Sequence, residues 1–448
     1  MGSISEFSKK KKDAKYYKTL TSDLAKLNSK LNFLTVVNDK ISKGMPFTVK
    51  DNICVRGFEA TAGSKMLNGY TPPFSATSVS RMEEKGFGFI GKATMDEFGF
   101  GSFGINTQVQ AKNPFNEKYV AGGSSSGSAV ATSLMKYHVA IAESTGGSIS
   151  NPASFCGVVG FTPTYGLISR YGLIDYANSL DKIGIMARSA DDVRETFDIV
   201  KGKDKYDTTC VDEKVTSSKR KKLVVIDQLM KGLDPQIESS FGKLLDKLEG
   251  KGYKIEHAKV DFIDKAIQAY YIISMAEAST NLAKYVGYKY GLQVPDFTKK
   301  YNEFFTTARE NFGLEAKRRI VLGTFVRSAS VKDKYYVKAL KLRTALTNKL
   351  SELMKDGFII SPTMPIMAPK IEDAQKLSPL QNYAMDALTI PPNLSGFPHV
   401  SFPSDYVGGM PIGTQLTTSH FNDYALLDFV SEWEKSFEYK FKHNLGSI

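Results

Sequence analysis

The chain has 448 residues, 42% of them hydrophobic, and a formal net charge of +12. That is enough apolar material for a large core, either as two or three domains or as one oversized α/β domain. No run of about 18 apolar residues occurs, so no membrane-spanning helix is expected.

Met1 to Phe7 lack an apolar stretch and resemble a cloning remnant, and residues 1–12 read as a disordered basic tail. Residues 13–44 predict a helix, because Leu20, Leu24, Leu27 and Leu31 recur on one face. A strand over 45–49 then leads into Lys50. Residues 78–85 predict a helix and 87–90 a strand. The run Gly122-Gly123-Ser124-Ser125-Ser126-Gly127-Ser128 leads into an apolar helix over 129–135. A short strand over 139–142 ends near a second glycine turn, Gly146-Gly147. The polar, basic stretch 202–222 reads as a linker or surface loop, followed by a strand over 223–226. Long helices are predicted over 239–250, 263–285, 314–327 and 332–356, then a strand over 358–361. Proline-rich loops are expected around 362–369 and 391–403. Alternating strands and helices predict an α/β fold, with a helix-rich insertion at about 235–356.

Three segments carry chemistry: Thr48-Val49-Lys50-Asp51-Asn52-Ile53, the serine-rich run 122–128, and Ser144-Thr145-Gly146-Gly147-Ser148-Ile149-Ser150. They supply one amine, hydroxyls in glycine-rich backbone, and a row of backbone N–H groups. Attack on an unactivated amide needs a nucleophile, a base and a cradle for the oxyanion. No histidine accompanies these segments, so Lys50 is the candidate base. An amine ordinarily titrates near 10.4 and serves as a base only when neutral, which calls for burial with few counter-charges. Asp51 must then point elsewhere. Ser148 follows Gly146-Gly147, whose turn would converge the N–H groups of 145–148 on one point. Ser124, after another glycine pair, is placed to pass a proton between Lys50 and Ser148.

Other features are set aside. Residues 86–93 nearly match a phosphate-binding loop, but Ala93 stands where the Mg²⁺-binding hydroxyl belongs and bulky apolar residues fill the loop. A buried strand ending at Gly91 is expected instead, with no ATP site. The basic runs 9–12 and 219–222 lack interleaved aromatics and read as solvated segments, not as RNA contacts. The five histidines are scattered and the three cysteines, Cys54, Cys156 and Cys210, lack CxxC spacing. No metal site is expected, and Cys54 and Cys156 read as buried free thiols.

The three segments resemble the Ser–Ser–Lys signature of the amidase signature family. That resemblance implies Ser148 as nucleophile, Ser124 as bridging serine after a cis Gly123–Ser124 peptide, and Lys50 as base. It also implies an oxyanion hole from the N–H groups of Thr145, Gly146, Gly147 and Ser148. The implied fold is a large mixed β-sheet covered by helices on both faces, with residues 13–448 forming one amidase domain. The likeness spans about residues 30–435 and includes the segments 91–98, 156–166 and 179–184.

Residues 315–325 and 383–389 are most similar to the A-type branch of the glutamyl-tRNA(Gln) amidotransferases. For that branch, the implied substrate is free glutamine. Arg319 would hold its α-carboxylate and Asp386 its α-ammonium, with Tyr270 or its neighbour Tyr271 completing the pocket. The resemblance further implies two partners: a B-type subunit that binds ATP and Mg²⁺ and handles the tRNA, and a small third subunit. No cofactor is expected in this chain.

Ser144 and Ser150 stand where the family often has Asp and Arg, Ser126 replaces a usual glycine, and Ala121 a usual proline. The region before Lys50 is shorter than usual. These departures and the lysine-rich composition suggest a mitochondrial matrix enzyme, or a cytoplasmic one if bacterial. Two alternatives share the same residues: a stand-alone amidase for a small or fatty amide, and a basic scaffold that has lost activity.

Overall fold

The computed structural model describes residues 3–9, 12–218, 220–295, 298 and 300–441. Among them, eleven strands form one mixed sheet: β1 Leu34–Val37, β2 Pro46–Lys50, β3 Gly88–Ala93, β4 Val139–Ser144, β5 Val159–Thr162, β6 Lys182–Ala187, β7 Lys222–Ile226, β8 Lys254–Ala258, β9 Gly357–Pro362, β10 His399–Val407 and β11 Met410–Thr417. Their spatial order is β1-β3-β2-β4-β6-β5-β10-β11-β9-β7-β8. β2 pairs in parallel with β3 and β4, as β7 does with β8 and β9, whereas β4 to β6 and the β10–β11 hairpin run antiparallel. Every residue of β2, β4, β6 and β11 is buried. A sheet covered by helices on both faces has that property, and its central strands therefore lose the polar alternation of a half-exposed strand.

The predicted helix at 13–44 stops early. Ala14–Leu31 is capped by the Asp13 side chain, which accepts from the Tyr16 N–H at 2.9 Å. It ends where Asn32 takes a left-handed conformation (φ 55°) and donates its N–H to the Asn28 carbonyl. This is the C-terminal motif that asparagine can supply in place of glycine. The chain then enters β1. Leu20, Leu24 and Leu31 are buried as the spacing predicts, and Leu27 is partly buried.

Other boundaries also move. Strand β3 continues past Gly91 to Ala93, and a Cβ on Gly91 would lie 2.5 Å from the Val36 carbonyl. Proline-rich 391–403 is not a loop throughout, because Ile390–Leu394 is a short helix and β10 begins at His399. Ser3–Ser8, expected in a disordered tail, forms a helix with Ile4 and Phe7 buried against the core. Residues 10 and 11 of the first basic run, and 219 of the second, lie outside the described residues. In that second run Arg220 donates to the Gly357 carbonyl at 2.9 Å and Lys222 pairs with Asp356 at 2.6 Å, so it ties β7 to the start of β9. Within the helix-rich stretch, β8 joins the sheet, while Ala266–Asn281, Leu314–Arg327 and Lys338–Leu353 pack into a helical layer. All three cysteines are buried and free. No helix among the described residues is long and apolar enough to cross a membrane.

Candidate active site

Strand β2 delivers Lys50 at its C-terminal end, beside the parallel strand β4, which ends at Ser144. Open α/β sheets gather their sites at such strand ends. Lys50 is fully buried, and its Nζ donates to Ser124 Oγ at 2.8 Å. The Gly123–Ser124 peptide is cis. Gly123 has no room for a side chain, since a Cβ there would lie 2.1 Å from Asp96 Oδ2. The Asp96 carboxylate accepts from the Gly104 and Asn106 N–H groups at 3.0 and 2.7 Å, and burial pushes it up to about 7. Asp51 does point away from Lys50. It accepts from the Thr61 hydroxyl and N–H and lies 3.7 Å from Lys92 Nζ. Burial raises the Asp51 carboxyl and lowers the Lys92 amine.

The expectation of few counter-charges at Lys50 is not met. Glu143, 1% exposed on β4, accepts from Lys50 Nζ at 2.8 Å through Oε2, and its backbone carbonyl accepts from the same amine at 2.9 Å. Asn52 Nδ2 donates to the same Oε2 at 3.1 Å. Glu143 Oε1 accepts from Thr145 Oγ1 at 2.7 Å, and Thr145 Oγ1 lies 2.8 Å from Asp181 Oδ1. The apolar look of 139–142 concealed this carboxylate, which sits one residue beyond the predicted strand.

After β4 the chain turns through Thr145, Gly146, Gly147 and Ser148 into the helix Ser150–Cys156. Among the described residues, none of the four N–H groups donates to another protein group, so they are free to face a developing negative charge. The loop is pinned from outside: Ser144 Oγ donates to the Gly146 carbonyl at 2.9 Å, and Asn393 donates to the Thr145 carbonyl. A Cβ on Gly147 would lie 2.4 Å from Asn151 Oδ1 and 2.5 Å from Thr389 Oγ1. Ser148 is 6% exposed, and its carbonyl accepts from the Ser125 N–H at 3.1 Å, which ties the two serine loops together. Among the described residues, no hydrogen bond joins the Ser148 and Ser124 hydroxyls. Ser144 and Ser150 form no ion pair, and the Ser150 hydroxyl is buried without a partner.

A cleft of about 320 Å³ is lined by Phe100, Ser102, Tyr271, Arg319 and Tyr383, among others. Arg319, 3% exposed on the helix Leu314–Arg327, donates from Nε to Glu315 at 2.8 Å and from Nη1 to the Tyr176 hydroxyl, and lies 4.7 Å over the Phe100 ring. Asp386 is 7% exposed and accepts from Asn151 Nδ2 at 2.8 Å, Ser102 Oγ at 2.9 Å and the Tyr271 hydroxyl at 3.0 Å. Burial raises its carboxyl, partly offset by those donors. The two tyrosines divide their work: Tyr271 binds Asp386, while the Tyr270 hydroxyl sits against Gly146, 2.9 Å from where a Cβ would be. Asn151, three residues after Ser148, therefore links the Ser148 loop to Asp386. Local patterning marked Lys50, Ser124 and Ser148, and the family resemblance added Arg319, Asp386 and Tyr270, but neither named Glu143, Asp181, Asn151, Ser102 or Asn393 as site residues. Asp181 lies within the family-like segment 179–184 but carried no site role there, the other four stand outside any motif, and only the fold brings the five to the site.

The chain matches the amidase family over residues 20–427. It is 40% identical over 423 residues to the A subunit of glutamyl-tRNA(Gln) amidotransferase from Pseudothermotoga lettingae, covering 90% of this chain and 89% of that one. The corresponding protein from Sulfolobus acidocaldarius is 38% identical over 408 residues, with 88% and 86% covered. The crystal structure of the glutamyl-tRNA(Gln) amidotransferase A subunit from Thermotoga maritima superposes with a TM-score of 0.78 at 33% identity, covering 92% of this chain and 90% of that one. Family match, sequence identity and fold agree over nearly the whole length, and the chain belongs to the amidase signature family.

Proposed function

We propose that the chain is the glutamine-hydrolysing A subunit of a glutamyl-tRNA(Gln) amidotransferase. The observation that carries this reading is the link through Asn151 between the Ser148 loop and Asp386, which joins an amide-attacking centre to a buried anion. In the proposed reaction, Arg319 takes the α-carboxylate of glutamine and Asp386 its α-ammonium, directing the side-chain amide at Ser148. Neutral Lys50 draws the proton from Ser124 as Ser124 takes that of Ser148, and the Ser148 oxygen attacks the amide carbon. The N–H groups of 145–148 hold the oxyanion. The proton returns through Ser124 to the leaving nitrogen, ammonia departs, and water then releases glutamate from the acyl-enzyme. The Ser124–Ser148 contact closes when substrate is seated, since such bonds are often long in unliganded sites.

The ammonia would pass to a B-type partner that activates glutamyl-tRNA(Gln) with ATP and Mg²⁺, and a small third subunit would complete the assembly. The identity to A subunits of this enzyme, over most of both chains, supports this assignment. A mitochondrial setting is part of the same proposal, tested by co-fractionation with a matrix marker. The functional test is ammonia release from glutamine, asparagine and a simple aliphatic amide, with and without a B-type partner. Glutamine-selective release that rises with the partner is expected. Partner-independent hydrolysis of the aliphatic amide would instead identify a stand-alone amidase.

A further inference from the structure

The hydroxyl of Thr145 lies within hydrogen-bond reach of two buried carboxylates, Glu143 Oε1 at 2.7 Å and Asp181 Oδ1 at 2.8 Å. A hydroxyl has one proton to give, so one of the two carboxyls must supply a proton of its own. Asp181 Oδ2 accepts from the Tyr176 and Ala177 N–H groups, both at 2.9 Å, which leaves Oδ1 as the protonated oxygen. Burial, followed by the nearness of Glu143, pushes the Asp181 carboxyl well above its ordinary range, in line with that count. The pair then carries one negative charge, on Glu143, facing Lys50 at 2.8 Å.

Lys50 and Glu143 are both excluded from water, at 0% and 1% exposure. Burying an ion pair strips water from both ions, and moving one proton from amine to carboxylate removes both charges. Other charged groups near the cluster are Asp96, which feels Lys50, and Arg170, whose charge acts on Asp181. On the flanking strands, Lys92 is engaged with Asp51, and Lys182 donates to the Phe397 carbonyl at 2.8 Å.

We propose that Glu143 is a positioning residue that stores the proton of Lys50: an N–H bond of the ammonium breaks, an O–H bond forms on Glu143 Oε2, and the free amine is generated inside the site without loss of a proton to solvent. The amine then takes the Ser124 proton as described above. Asn52 holds Oε2 in place, and the hydrogen-bonded chain Asp181–Thr145–Glu143 fixes the other oxygen. The oxyanion loop and the base are thereby tied together at Thr145. This extends the Ser148–Ser124–Lys50 reading and rests on it.

The test uses the rate of Ser148 modification by a small sulfonyl fluoride against pH, a readout that needs neither glutamine nor the partner. In wild type the rate is expected to be flat across the neutral range, because the active proton arrangement is reached by internal transfer. In Glu143→Gln the amine is freed only by losing its proton to solvent. The acid limb then moves to higher pH, and the neutral-pH rate falls about tenfold or more. A bare counter-charge would give the opposite movement, since its removal favours the free amine. A limb that stays or moves to lower pH therefore overturns the proposal, as does a wild-type rate that rises steadily through neutrality. The wild-type profile keeps the test available if Glu143→Gln does not fold. If sulfonylation behaves as expected while glutamine is not hydrolysed, the glutaminase reading fails and this inference stands.

Discussion

Replacing Asp386 by Asn separates what the carboxylate does for substrate from what it does for the fold. Three donors converge on it at 2.8, 2.9 and 3.0 Å, from Asn151, Ser102 and Tyr271. An amide fits the same space: its oxygen still accepts from Asn151, and the hydroxyls of Ser102 and Tyr271 rotate to accept from its nitrogen. What is lost is the negative charge that would meet the α-ammonium of glutamine. A hydrogen bond to a charged group contributes about 3 kcal/mol, or ~100-fold in kcat/KM. Stability should move the other way. Burial raises the folded-state Asp386 carboxyl above its ordinary 3.8. A carboxyl raised on folding costs native stability as pH climbs from the unfolded range through the folded one, and at higher pH the cost is complete. The Asn variant escapes it, so its Tm at neutral pH equals or exceeds that of wild type. Ammonia release should be followed with glutamine and with 4-carbamoylbutanoate, which lacks the α-amino group. The variant is expected to lose ~100-fold on glutamine and little on the analogue. Equal losses on both, or a Tm several degrees lower, would refute the assignment of Asp386 to the ammonium.

Two further substitutions probe the loop and the core. Gly147→Ala places a methyl 2.4 Å from Asn151 Oδ1 and 2.5 Å from Thr389 Oγ1, so the oxyanion loop must shift. A loss of about 10²–10³ in kcat is expected for a displaced oxyanion donor, with the fold retained by circular dichroism. Phe161→Ala empties a fully buried site on β5 whose ring meets Phe197 edge-on at 5.2 Å. Denaturant titration should show about 3–5 kcal/mol of lost stability.

The amino-acid pattern exposed the chemistry more fully than the architecture. Ser124 and Ser148 stand in glycine-rich segments whose local form is dictated by short-range geometry, and Lys50 ends a short apolar strand, so these three positions stood out before any fold was known. The β10–β11 hairpin was not read, although Gly408 and Gly409, with φ of 58° and 79°, supply the left-handed turn such a hairpin requires. Pro403, at the edge of a register shift between Pro403 and Asp405, disguised β10 as a loop. The leucine spacing gave the helix Ala14–Leu31 its buried face but not its end, which depended on the backbone of Asn32. Glu143 and Asp181 lie far apart in sequence and meet only because β4 and β6 pair antiparallel, with Ser144 opposite Lys182. Contacts set by strand order leave no local trace.

The central claim is tested most directly by assembling the chain with a B-type partner and glutamyl-tRNA(Gln), and comparing wild type with Ser148→Ala. Transamidation should be driven either by glutamine or by added ammonia. Ser148→Ala is expected to abolish the glutamine-driven reaction and to leave the ammonia-driven one intact. Glutamine-driven transamidation that survives the loss of the Ser148 hydroxyl would contradict that claim.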